Sequence, residues 1–237
     1  MIPVEMIGLG VAVAVAAGVA LSHRRSTQPV TAAVYSASDS AGGYFDPPGV
    51  LQTYSPDPCR LIQNYSGIPT ANCAINGLQL REMLSGGPVT MAVGGIGTGG
   101  TTILPFDQRL DNEPAGIIII GAGMVDCLFT ETTVSEYLGM VQTAVNTVLL
   151  KGKKPVLRGF HNFSENEVMT AARLARNDQF NAALQNLAAT LGVPFIDMHT
   201  VPFYGASDIC ADGVHPTMGY HERLATRAAG TLLANFK

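Results

Sequence analysis

Gly116-Ile117-Ile118-Ile119-Ile120-Gly121-Ala122 is the run that decides the fold. Four consecutive isoleucines show neither a 3.6-residue period nor apolar–polar alternation. β-Branched side chains fit a pleated surface, so the run predicts a strand buried on both faces. Such a strand needs helices above and below it, and the flanking sequence supplies them. Downstream come a helical pattern at residues 134–150, a strand at 155–160 (PVLRGF), a helix at 171–191, a strand at 193–198 (VPFIDM) and a helix at 217–235. Upstream, 29–35 (PVTAAVY) and 89–93 (VTMAV) read as strands, with a helical pattern at 71–84 between them. Strands alternating with helices predict an α/β fold: three α/β/α layers around a five-stranded parallel, doubly wound, flavodoxin-like sheet. In such sheets ligands bind beyond the carboxyl ends of the strands, where the strand order reverses.

Composition agrees with one large core. The chain has 237 residues, 47% of them hydrophobic and only 14% charged, enough apolar surface to exclude intrinsic disorder. A net charge of −4 without a basic stripe argues against a nucleic-acid partner. The four cysteines, Cys59, Cys73, Cys127 and Cys210, are scattered, which indicates neither a disulfide scaffold nor a paired-Cys zinc site.

Three segments are expected: residues 1–25 as an apolar N-terminal piece, 26–29 as a linker and 30–237 as the main domain. Residues 6–21 (MIGLGVAVAVAAGVAL) carry no charge and precede Arg24 and Arg25. As a helix they span roughly 24 Å, a little short of a ~30 Å hydrocarbon core. The expectation is an N-terminal apolar helix that anchors in a membrane or docks against a partner in a larger assembly. The domain is accordingly expected to be membrane-associated or extracytoplasmic, with sidedness open.

The residues after each strand carry the chemistry. They are Ser36–Gly43, Gly94–Gly100, Gly123-Met124-Val125-Asp126, His161-Asn162 and, after the last strand, Asp212-Gly213-Val214-His215-Pro216-Thr217. Asp212 and His215, three apart before a helix, can point into one crevice with the carboxylate orienting the imidazole as a base. A serine hydroxyl needs such a base within hydrogen-bond reach to become a nucleophile. Gly95–Gly100 satisfies G-x-G-x-x-G, but Thr101-Thr102-Ile103-Leu104-Pro105 does not open a helix, which disfavours a dinucleotide cofactor. His161 and His199 lack a second ligand at helical spacing, so no metal is expected. No Gly-x-Ser-x-Gly elbow occurs.

From about Val30 to Phe236 the chain resembles the SGNH, or GDSL-like, hydrolase family. The resemblance places Ser38-Asp39-Ser40 on the family's Gly-Asp-Ser block and implies Ser40 as nucleophile, with the usual glycine replaced by serine. It implies the backbone N–H groups of Ser40 and Gly95 (or the neighbouring Gly94) as the oxyanion hole. Asp212 and His215 match the family's last block, and Phe195-Ile196-Asp197 resembles its final-strand run. The third block departs: the family's Asn, an oxyanion donor, falls on Gly123 or Val125, and Asn162 is the candidate substitute. The implied activity is hydrolysis of carboxylic esters, O-acetyl groups on carbohydrate among them, through an acyl-Ser40 intermediate and without a cofactor. The rival expectation is a weakly active or inactive module of the same fold, tethered in a membrane or an assembly such as a virion. Cys59 with Cys73, and Cys127 with Cys210, are expected either to pair or to remain buried thiols.

Overall fold

The computed structural model describes residues 29–45, 51–90 and 102–237. In chain order its elements begin with β1 (Ala32–Tyr35), α1 (Ser38–Ala41), β2 (Gly43–Phe45), β3 (Leu51–Thr53), α2 (Pro58–Ser66) and β4 (Thr70–Asn72). Next come α3 (Leu80–Ser85), β5 (Gly87–Pro88), β6 (Thr102–Ile103), α4 (Phe106–Asp111), β7 (Ile117–Ile120) and α5 (Met124–Phe129). The chain closes with α6 (Val134–Leu150), β8 (Lys154–Arg158), α7 (Ala171–Leu191), β9 (Phe195–Ile196) and α8 (Met218–Phe236).

The main sheet has the order β4-β1-β7-β8-β9, and every neighbouring pair is parallel. Counted along the chain this is 2-1-3-4-5, the flavodoxin-like order, with its reversal between β1 and β7. The isoleucine run fills the centre. Ile118 and Ile120 enter the core on one face, with Tyr35, Leu157, Tyr137 and Phe180. Ile117 and Ile119 enter the other, with Val34, Val156, Ile62 and Leu232. Each isoleucine is at most 2% exposed. At ~1.5–3 kcal/mol for each fully buried aliphatic side chain, this run is a major source of the fold's stability.

Local signals set the helix ends. Thr133 and Glu136 close a capping box at the start of α6, the Thr133 N–H donating to Glu136 Oε2 at 2.7 Å. The α7 helix stops at Gly192 in the left-handed region, φ 65°. In α2, Asp57 Oδ1 accepts from the Cys59 and Arg60 N–H groups while Pro58 occupies the first turn.

Two upstream expectations change. Among the described residues the second strand of the sheet is β4; of the expected strand at 89–93, Val89 and Thr90 are irregular and 91–93 lie outside the described residues. The predicted helix at 71–84 is divided: β4 ends at Asn72, and α3 starts only at Leu80. Asn72 Oδ1 accepts from the Ala74 N–H at 3.1 Å, and Gly77 takes φ 74°. This side-chain turn and left-handed glycine hold 73–79 as a loop. The apolar run 6–21 lies outside the described residues, and among the described residues no helix is long and apolar enough to cross a membrane.

Candidate active site

The reversal in strand order places the β1–α1 turn beside the end of β7. β1 stops at Tyr35, Ala37 is the extended residue before α1, and α1 lasts one turn before Gly42 at φ 84° ends it. Successive residues of a helix rotate by about 100°, so Ser38 and Ser40 face opposite ways. Ser38 is half-buried and points to His215, whereas Ser40 is 1% exposed and points into the core.

The loop before α8 meets Ser38 from across the crevice. His215 Nε2 lies 2.7 Å from Ser38 Oγ, and His215 Nδ1 lies 2.7 Å from Asp212 Oδ2. The other oxygen, Asp212 Oδ1, accepts from the Val214 and His215 backbone N–H groups, each at 2.9 Å. A carboxylate only accepts, so His215 Nδ1 carries the proton donated to Asp212. In that tautomer Nε2 accepts from the Ser38 hydroxyl. The Cys210 N–H donates to the His215 carbonyl at 2.8 Å, and the Tyr54 hydroxyl donates to the Pro216 carbonyl. These bonds hold the loop on both sides of the imidazole.

Asp212 and His215 therefore come together as the sequence predicts, but Ser40 does not join them. The turn carries serines at 36, 38 and 40, and the structure brings Ser38 to His215. Ser40 Oγ instead accepts from Arg158 Nη1. Asp39 forms a buried ion pair with Arg158 Nη2, which also donates to Ser36 Oγ at 3.0 Å. Burial pushes the His161 pKa down to about 4, and its Nε2 lies 3.3 Å from the Val214 carbonyl. His221 is held well below its usual value by burial as well, so both buried imidazoles are neutral near pH 7.

Gly94 and Gly95 lie outside the described residues. The loop that does reach the β1–α1 turn follows β4, the Ile75 N–H donating to the Ser36 carbonyl at 3.0 Å. Two residues on is Gly77, buried and at φ 74°. Gly123 cannot hold an asparagine in this conformation. A Cβ there would sit 2.3 Å from Tyr137 Cε2, at φ 125°. Val125 is 2% exposed. Asn162 is engaged elsewhere, its Nδ2 donating to the His199 carbonyl at 2.7 Å. All four cysteines are free thiols.

From sequence, Ser38 reads only as standing in for the family's glycine, and Gly77, Tyr54 and Arg158 are not singled out. The match of Ser38-Asp39-Ser40 to the family's Gly-Asp-Ser block selected Ser40, two residues beyond the serine that meets His215. Asn76-Gly77 after a short polar strand was the available signal for the glycine.

The fold agrees with known proteins. The chain matches the GDSL-like Lipase/Acylhydrolase family over residues 61–223, a stretch that includes Asp212 and His215 and begins after Ser38. No curated protein matches. Among solved structures, a lipase/acylhydrolase from Enterococcus faecalis superposes with a TM-score of 0.63 at 16% identity, covering 88% of this chain and 98% of its own. A catalytic mutant of an acetylxylan esterase from Geobacillus stearothermophilus gives 0.60 at 16% identity, over 88% of this chain and 95% of its own. A member of the lipolytic G-D-S-L family from Veillonella parvula gives 0.57 at 14% identity, over 87% and 98%. With its core, strand order and Asp–His loop all in place, the chain belongs to the GDSL-like lipase/acylhydrolase family.

Proposed function

We propose that this protein is a serine esterase in which Ser38 is the nucleophile, His215 the general base and Asp212 the group that orients it. The observation that carries the reading is the continuous contact from Ser38 Oγ to His215 Nε2 and from His215 Nδ1 to Asp212 Oδ2, 2.7 Å at each step. As Ser38 Oγ attacks the ester carbonyl, Nε2 takes its proton, and the imidazolium is stabilised by the Asp212 carboxylate. The same proton then passes to the leaving alcohol, which departs to leave an acyl-Ser38 ester. Water, deprotonated by the neutral His215, attacks that ester, and Ser38 is regenerated on collapse.

Charge that develops on the carbonyl oxygen needs preorganised donors. The Ser38 N–H at the start of α1 and the Gly77 N–H are the donors proposed here. Gly77 takes the place expected of Gly95, because its loop follows the second strand of the sheet and touches Ser36. With Gly123 closed to a side chain, the hole relies on backbone donors. Small acyl esters are the substrate class, and O-acetylated carbohydrate is included on the strength of the acetylxylan esterase neighbour.

The test is a fluorophosphonate probe followed by peptide mapping, run beside p-nitrophenyl acetate and acetylated xylan. Modification of Ser38 with ester turnover supports the reading. Turnover that survives unchanged in Ser38→Ala, or a probe that never reaches Ser38, would overturn it in favour of the inactive-module alternative.

A further inference from the structure

The α1 helix is a single turn, too short to hold its own geometry, yet Ser38 Oγ must stay within hydrogen-bond reach of His215. The residues around Ser38 show what fixes it. Ser36, Asp39 and Ser40 all direct their side chains to one guanidinium, that of Arg158 at the end of β8. Arg158 is 6% exposed and Asp39 5%. Ser36 Oγ also lies 3.0 Å from Asp39 Oδ1 and 3.1 Å from the Gly121 carbonyl at the end of β7. Arg158 reaches the turn by passing over Gly121. A Cβ on that glycine would meet Arg158 Nε at 2.7 Å, Cζ at 3.0 Å and Ser36 Oγ at 3.1 Å. One planar fork thus ties the ends of β1, β7 and β8 to the turn that carries the nucleophile.

We infer that Arg158 is a positioning residue for Ser38, acting through Asp39, Ser36 and Ser40 to keep Ser38 Oγ aligned with His215. The inference rests on the esterase reading above. Lysine cannot substitute fully, because an ammonium can pair with Asp39 but lacks the fixed fork that also holds both hydroxyls. A shift of about 1 Å in a reacting group is enough to cost about 10²-fold in rate, which sets the size of effect expected.

The test separates positioning from plain stabilisation. Arg158→Met leaves the Asp39 carboxylate buried and unpaired, whereas Arg158→Met with Asp39→Leu removes both charges and recovers packing. Steady-state kinetics on p-nitrophenyl acetate, fluorophosphonate labelling rates and crystal structures are measured for wild type, both of these variants and Arg158→Lys, well below each Tm. The inference expects kcat and the labelling rate to fall by about 10²-fold with KM within about threefold. The loss persists in the double variant even as its Tm recovers, and Arg158→Lys falls between. Wild-type kcat in the double variant, or in Arg158→Lys, would overturn it and leave the pair a stabilising contact. A wild type that the probe does not label at Ser38 fails the esterase reading instead. In that case an Arg158→Lys structure with the 2.7 Å Ser38–His215 contact unchanged overturns the clamp, and a displaced Ser38 supports it.

Discussion

Ser38 and Ser40 stand two residues apart on one helical turn and do opposite work. The first meets His215 Nε2 at 2.7 Å in the crevice, and the second accepts from Arg158 in the core. Their separation is a consequence of helical rotation, and it gives the two serines different mutational signatures. Ser38→Ala is expected to lower kcat on p-nitrophenyl acetate by at least about 10³-fold, as loss of a nucleophile does, with Tm nearly unchanged. Ser40→Ala leaves an Arg158 N–H unpaired in the core and is expected to cost about 1–3 kcal/mol of stability, with kcat within about tenfold of wild type. Kinetics and a melting curve on the two variants check both halves.

Asp212 does two jobs that one substitution separates. Its Oδ1 holds the loop through two backbone N–H groups, and its Oδ2 fixes the imidazole tautomer. In Asp212→Asn the amide oxygen keeps the loop bonds, but the amide nitrogen presents a donor to His215 Nδ1. The ring then turns to the tautomer whose Nε2 carries a proton and cannot accept from Ser38. The expected result is a fall in kcat of about 10³–10⁴-fold with a change in Tm of only a few degrees. A variant that retains more than about a tenth of wild-type kcat would contradict the assigned tautomer.

The parts of this fold that could be read from sequence are those with strong local codes. The isoleucine run gave β7 because β-branched residues in series admit little else, and α6 and α7 match their predicted spans because capping and a terminal glycine mark their ends. β4 was invisible for the opposite reason: Thr70-Ala71-Asn72 is a short, half-exposed edge strand with no hydrophobic pattern. Missing it led to the second strand being read at residues 89–93 and to Gly95, outside the described residues, being chosen where Gly77 is proposed here. The Asp212/His215 pair was legible since three residues of spacing let the Asp212 carboxylate accept from the Val214 and His215 N–H groups and meet the ring locally. The serine was not, because the Asp39-Ser40 match to the family block favoured Ser40, and only the turn's rotation shows that Ser38 is the one facing His215. Arg158 was hidden inside a strand pattern, and only tertiary contact gives it a role.

The buried His161 makes stability depend on pH. Burial lowers its pKa from 6.5 to about 4, so the folded state binds fewer protons than the unfolded chain between those values. Its contribution is therefore complete above pH 6.5 and is lost as pH falls toward 4, on the order of 3 kcal/mol across the whole window. Between pH 7.5 and 5 the expected loss attributable to this group is about 4–8 °C in Tm. His161→Phe keeps a ring beside Phe163 and Tyr220 and should show a shallower decline over that range. Equal slopes for the two proteins in differential scanning fluorimetry would refute the assignment.

Placing an asparagine at position 123, one of the two positions on which the family's asparagine falls, should fail, and the reason is steric. The new Cβ would enter the Tyr137 ring, 2.3 Å from Cε2 and 2.8 Å from both Cζ and the hydroxyl oxygen, at a backbone φ of 125°. Tyr137 is itself 1% exposed and packs on Phe160 and Phe180, so it has little room to retreat. Gly123→Asn is expected to cost about 1–3 kcal/mol from overpacking, with backbone strain added, and to lower kcat. Combining it with Tyr137→Ala opens space but removes a core aromatic, worth about 3–5 kcal/mol. That double variant should be less stable still. A Gly123→Asn protein that melts at the wild-type temperature and turns over ester faster would show that the chain can use a side-chain donor there, and the backbone-only oxyanion hole would have to be abandoned.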